Sequence, residues 1–152
     1  MANTQAVCTS FKLESMNGLH AFGTTVVRGA TTADTFKAAL YLVSATYNDT
    51  TTAYSATGEV SGANYTAGGV TFTWVAPNFD AASKTAYSTP SASFSWTTVT
   101  LSTALDTVLL YNSTQSNRAV AVYTFGSQTV TAGNFTLTMP TNNQTTGLLR
   151  LA

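Results

Sequence analysis

Polar and apolar residues alternate with period two in three separate stretches of this chain. Val70, Phe72 and Trp74 alternate with Thr71 and Thr73. Phe94 and Trp96 alternate with Ser93 and Ser95, and Phe135, Leu137 and Met139 with Thr136 and Thr138. Successive side chains of a strand point to opposite sides, so each stretch predicts a strand with one dry and one wet face. Residues 35–43 differ. Phe36, Ala38, Leu40 and Leu42 fall on one face, but Ala39, Tyr41 and Val43 on the other are apolar too. Residues 106–111 and 118–125 share that two-sided character. Such strands belong at a sheet centre or under a cover. The link between the last two, residues 112–117, is rich in Asn and Ser and predicts an antiparallel hairpin near the sheet centre. Gly147 opens a short last strand, residues 148–151. Its apolar side chains predict pairing with a sheet or a neighbour.

Near the start the period changes. Thr9 or Ser10 can cap a helix of about two turns, and Glu14 complements its dipole. Leu13 and Met16, three apart, share a face. Asn17-Gly18 supplies a left-handed stop. A helix that short must dock on something to persist. Residues 44–69 and 77–90 show no period. The first segment carries Tyr47, Tyr54 and Tyr65, several glycines and almost no aliphatic residue, which predicts a functional loop with little share in the core. The second opens on a Pro-Asn turn signal. Many short strands with turn signals, and no helix long enough to cross over a parallel sheet, predict one all-β domain over residues 1–152. It is an antiparallel β-sandwich, jelly-roll- or Ig-like, with one short N-terminal helix.

Charge sharpens this picture. Six basic and six acidic residues cancel in a chain of 152, and only 8 % of residues are charged. Soluble domains are nearer a quarter charged. Threonine, serine and asparagine take the place of charge. A lone monomer stays soluble partly through interspersed surface charge, so this surface suits a protein packed against copies of itself or other subunits. Lys12, Arg28, Lys37, Lys84, Arg118 and Arg150 are scattered, which argues against nucleic acid as a partner. No apolar run is long enough to span a membrane as a helix, and residues 1–10 do not read as a signal peptide.

No catalytic constellation is visible, so a non-enzymatic role without cofactor or metal is expected. A single cysteine, Cys8, forms no intrachain disulfide and is expected to be a small inert residue. His20 has no partners at metal-ligand spacing. The six acids lie far apart in sequence, with no motif for a paired-carboxylate hydrolase. Asp34, Asp49 and Asp80 sit where local backbone bonding is expected. Gly68-Gly69 and Gly58-x-x-x-Gly62 lack the Lys-Ser or Lys-Thr of a phosphate loop and read as turns. Only the aromatics carry positive content. Tyrosines in a Gly-rich loop resemble a recognition surface, so Tyr47, Tyr54 and Tyr65, with Leu149 and Leu151 of the last strand, are the expected subunit contacts.

The order of several segments resembles a group of small structural proteins of tailed bacteriophages. Thr9-Ser10-Phe11-Lys12 leads to Asn17-Gly18-Leu19-His20 and then Asp34-Thr35-Phe36-Lys37-Ala38-Ala39-Leu40-Tyr41. Gly58-Glu59-Val60-Ser61-Gly62, Tyr65-Thr66-Ala67-Gly68-Gly69, Arg118-Ala119-Val120-Ala121-Val122, Gly133-Asn134-Phe135-Thr136 and Gly147-Leu148-Leu149-Arg150-Leu151 follow. The resemblance implies a virion protein assembled in the host bacterial cytoplasm, with no catalytic residues. Its partners would be other virion proteins, the major capsid protein first, and further copies of itself as a trimer or dimer. Two roles follow from it. One is a capsid decoration or cement protein on the head; the other is a tail or fibre component contacting the host. The absence of elongated repeats favours the first.

Overall fold

The computed structural model describes residues 3–16, 18–22 and 33–151. Among them the elements run β1 (Ala6–Val7), α1 (Thr9–Met16), β2 (Phe36–Leu42), β3 (Val70–Phe72), β4 (Asn78–Asp80), β5 (Thr85–Ser88), β6 (Phe94–Asn112), β7 (Arg118–Leu137) and β8 (Leu149–Leu151). They form two antiparallel sheets, one ordered β1-β7-β6-β2-β3 and a smaller one ordered β4-β5-β8. The fold is an all-β sandwich.

The two-sided strands lie where their pattern requires. β6 is the middle strand of the large sheet, flanked by β7 and β2. Ala38, Ala39, Leu40 and Tyr41 of β2, Leu109 and Leu110 of β6, and Val120 and Val122 of β7 are fully buried. One face is covered by aromatic packing: Phe36 lies 5.0 Å from Phe22 and 6.0 Å from Trp74 between ring centroids. Phe11 of α1 joins this layer at 5.8 Å from Phe22. The small sheet reaches the same layer through Leu149. α1 ends at Gly18, whose φ of 65° lets Gly18 N–H reach Ser15 O and Leu19 N–H reach Glu14 O, the bonds of a left-handed C-cap. The side chains of Leu13 and Met16, and Asn17, lie outside the described residues.

The structure corrects the strand boundaries in two places. Residues 92–97 and 106–111, expected as separate strands, fall in the single strand β6, which begins at Phe94. Residues 118–125 and 134–139 likewise fuse into β7, which ends at Leu137. The cause is a series of register shifts, including those between Trp96 and Val99 and between Val99 and Leu101. Thr98 and Ala132 sit there at φ of 52° and 45°. An extra residue inverts the alternation, so one bulged strand reads as two with a polar gap between them. Residues 77–90, expected as a loop, hold the β4–β5 hairpin, whose pairs run from Asn78 with Tyr87 to Asp80 with Thr85.

Candidate interaction surface

Residues 44–69 form no strand, yet they close over the second face of the large sheet. Tyr47 is buried with its ring 3.9 Å from that of Tyr41. Tyr54 stacks on Tyr111 at 4.8 Å and 20°. Val60 and Ala45 are buried in the same layer. The expectation that this loop holds little of the core is therefore corrected. Tyrosine rings supply the area that aliphatic residues would otherwise give.

The polar tips of this layer converge on one carboxylate. Glu59 accepts Tyr54 Oη–H at 2.7 Å, Tyr65 Oη–H at 2.8 Å and Gly68 N–H at 2.7 Å. Tyr65 Oη in turn accepts Leu40 N–H at 3.0 Å, and Tyr111 Oη–H donates to Gly68 O at 2.8 Å. Burial pushes the hydroxyl of Tyr111 up to about 12, with the Glu59 charge adding to it. Burial also raises Tyr65 and Tyr54, assisted by the same carboxylate. These hydroxyls stay protonated donors at any physiological pH. The hydroxyls of Tyr47, Tyr54 and Tyr65 and the ring faces of Tyr47 and Tyr54 are thus engaged within the chain, and only part of Tyr54 and Tyr65 remains accessible.

A second polar cluster ties α1 to the β6–β7 turn. Asn112 Oδ1 accepts the N–H groups of Thr114 and Gln115. Its amide nitrogen therefore faces His20 Nδ1 at 3.0 Å and Asp34 Oδ2 at 2.8 Å. Nδ1 must accept, so the ring proton sits on Nε2 and is donated to Glu14 Oε2 at 2.8 Å. Arg118 Nη1 binds the other Glu14 oxygen at 2.5 Å. The His20 side chain is only 1 % exposed, and burial lowers its pKa below the usual 6.5 despite Glu14. Both ring nitrogens are occupied, which makes the pair a tether between elements. Cys8 lies apart, its thiol pushed up to about 12 by burial, with the charges of Asp49 and Glu14 adding. A thiol so placed is a poor nucleophile at neutral pH. Among the described residues, no three His, Cys, Asp or Glu side chains gather to hold a metal ion.

The last strand divides its two leucines. Leu149 is buried and packs into the core, opposite Ser88 of β5, while Leu151 is 44 % exposed. Leu151 pairs with Ala86, which pairs with Phe79, so the three form a row across the small sheet. Phe79 is 70 % exposed.

Most of the acidic groups are turned inward. Besides Glu14, Asp34 and Glu59, Asp106 accepts Asn3 Nδ2–H at 2.8 Å and Thr107 Oγ1–H at 2.7 Å. What faces outward is chiefly hydroxyl and amide: Ser95, Thr97 and Thr98 of β6, and Ser127, Gln128, Thr129, Thr131, Asn134 and Thr136 of β7. Such a surface offers hydrogen bonds and van der Waals contact with little electrostatic steering.

No protein-family model matches this chain, and neither does any curated protein or solved structure.

Proposed function

We propose that this chain is a non-enzymatic structural protein of a tailed-phage virion, coating the outer surface of the head through contacts with the major capsid protein. The observation that supports this most is the nearly uncharged hydroxyl surface of a well-packed sandwich. A free monomer gains little from such a surface. A subunit held among many others loses nothing by it, because close packing replaces colloidal repulsion. The two tyrosine and histidine clusters act as internal struts, leaving the outer strands for contact. The order of sequence segments, which resembles that of small phage structural proteins, supports the same reading.

Quantitative mass spectrometry of purified virions tests it. The chain should be present in copies comparable to those of the shell subunit. A count matching the sixfold symmetry of a tail would move it off the head. Absence from the particle would overturn the virion role altogether.

A further inference from the structure

The two edges of the long β6–β7 ribbon are treated differently by the rest of the chain. β2 covers the outer edge of β6 only up to Leu105. Beyond that the loop takes over. Thr100 N–H donates to Ala63 O at 3.1 Å, Asn64 Nδ2–H donates to Thr98 O at 2.8 Å, and Ala63 bridges Thr100. Gly62 makes this approach possible, since a Cβ there would lie 1.9 Å from Thr100 O.

β7 begins in the same way. Ala119 N–H donates to Thr52 O, Cys8 N–H donates to Val120 O, and β1 pairs with Ala121 and Val122. There the cover stops. Among the described residues, β7 beyond Val122 pairs with β6 alone, and its other edge has no strand partner. Space around it is open: a Cβ built on Gly126 meets nothing within 4 Å. Residues 126–129, 131, 132, 134 and 136 are exposed.

A bare edge presents a row of unpaired N–H and C=O groups, and proteins normally blunt it with Lys, Pro or inward charges. This one has none of them. No charged residue and no proline occurs from Ala119 to Met139. β7 does carry bulges, one at Ala132, and within residues 124–137 its pairing with β6 runs without a register shift only over residues 135–137. We infer that residues 124–137 of β7 form a self-association edge, on which a second copy of this chain lays the same edge antiparallel.

A second copy is the occupant the chemistry favours. Two-fold symmetry makes the contact isologous, so each outward N–H can meet a C=O of the identical strand. The facing side chains would be Thr, Ser, Gln and Asn, which pair across strands without like-charge repulsion. No extended segment has to be ordered first. The inference concerns the free protein and stands or falls apart from the virion reading.

Light scattering on the purified protein should give twice the chain mass of 15.9 kDa. The double variant Thr129→Lys/Thr136→Lys should halve that mass while keeping the melting temperature, because two lysines from each copy place four positive charges along one narrow seam. The variant Phe79→Ser/Leu151→Ser, which alters the apolar row of the small sheet, should stay dimeric. A monomeric wild type, a dimeric lysine variant or a monomeric Phe79/Leu151 variant would overturn the inference. If the lysines lower the melting temperature, amide hydrogen exchange of the wild type decides. Amides in residues 124–137 should slow as concentration rises through the association range, and unchanged rates would overturn it.

Discussion

Glu59 accepts three hydrogen bonds where a loop with few aliphatic side chains must cover a sheet. Its two oxygens orient Tyr54, Tyr65 and the Gly68 turn together. Charge-assisted bonds of this kind are each worth roughly 1.5–3 kcal/mol, and a buried donor left unpaired is costly. In Glu59→Gln the charge goes and one oxygen becomes a donor. We expect a loss of about 2–4 kcal/mol, seen as a lower urea midpoint at unchanged slope. An unchanged midpoint would show that the tyrosine layer holds itself. Nothing in the sequence marks this residue, a lone acid between Gly58 and Val60. The tyrosines were legible as contact surface, but period and composition do not say which surface they contact. His20 makes a second residue-scale case. Its folded pKa is lowered by burial, so below 6.5 the unfolded chain binds more protons than the native one. Stability from the neutral ring is full above 6.5 and falls as pH drops from there toward the lowered folded value, by up to about 1.4 kcal/mol per pH unit. Urea midpoints at pH 7.5 and 5.0 should therefore differ more for the wild type than for His20→Gln. Equal differences would mean that the imidazole does not set the acid response.

At the scale of elements, alternation read well wherever the chain stays in register and misled wherever a bulge intervenes. The β2 pattern around Ala39 was apolar on both faces, and both faces are covered. Residues 98–105 and 126–133 read as gaps between strands because successive bulges break the alternation there. The β4–β5 hairpin escaped for a different reason. Its strands are three and four residues long, too short for a period to show beside Pro77 and Asn78. The wrapping loop is governed by backbone clearance, which side-chain pattern does not encode. Gly62→Ala makes this testable. The added methyl would meet Thr100 O, and displacing packed backbone costs typically 1–3 kcal/mol. We expect a thermal destabilisation in that range, with faster amide exchange at Thr100. In β8 the contrast lies within one strand. Leu149→Ala should cost roughly 2–5 kcal/mol, the range for a fully buried leucine. Leu151→Ala should stay within about 0.5 kcal/mol. Similar losses at both positions in urea titration would mean that β8 is packed on both sides.

Across the whole molecule, the distribution of charge says more than its total. Six acids and six bases already cancel, and the fold then turns Glu14, Asp34, Glu59 and Asp106 onto internal partners. Burying carboxylates is costly unless each is well bonded, and here each fixes a loop or a helix to the sheets. The result is a sandwich whose outer strands carry hydroxyls and amides and almost no field. Long-range steering speeds association only where charges of opposite sign face each other, and salt screens it within about 10 Å at 0.1 M. Contacts made by this surface should therefore depend on fit and hydrogen bonding, with rates set by diffusion and orientation. On the proposed virion role, we expect re-binding of the purified chain to particles depleted of it to change less than about threefold when salt rises tenfold from 0.05 M, since few ion pairs are available to be screened. Sedimentation of the particles with labelled protein at each salt concentration measures this directly. A steep fall in binding would show that Arg118, Lys84 or Arg150 meets an acidic partner, and it would shift the contact from the uncharged strands to those scattered bases.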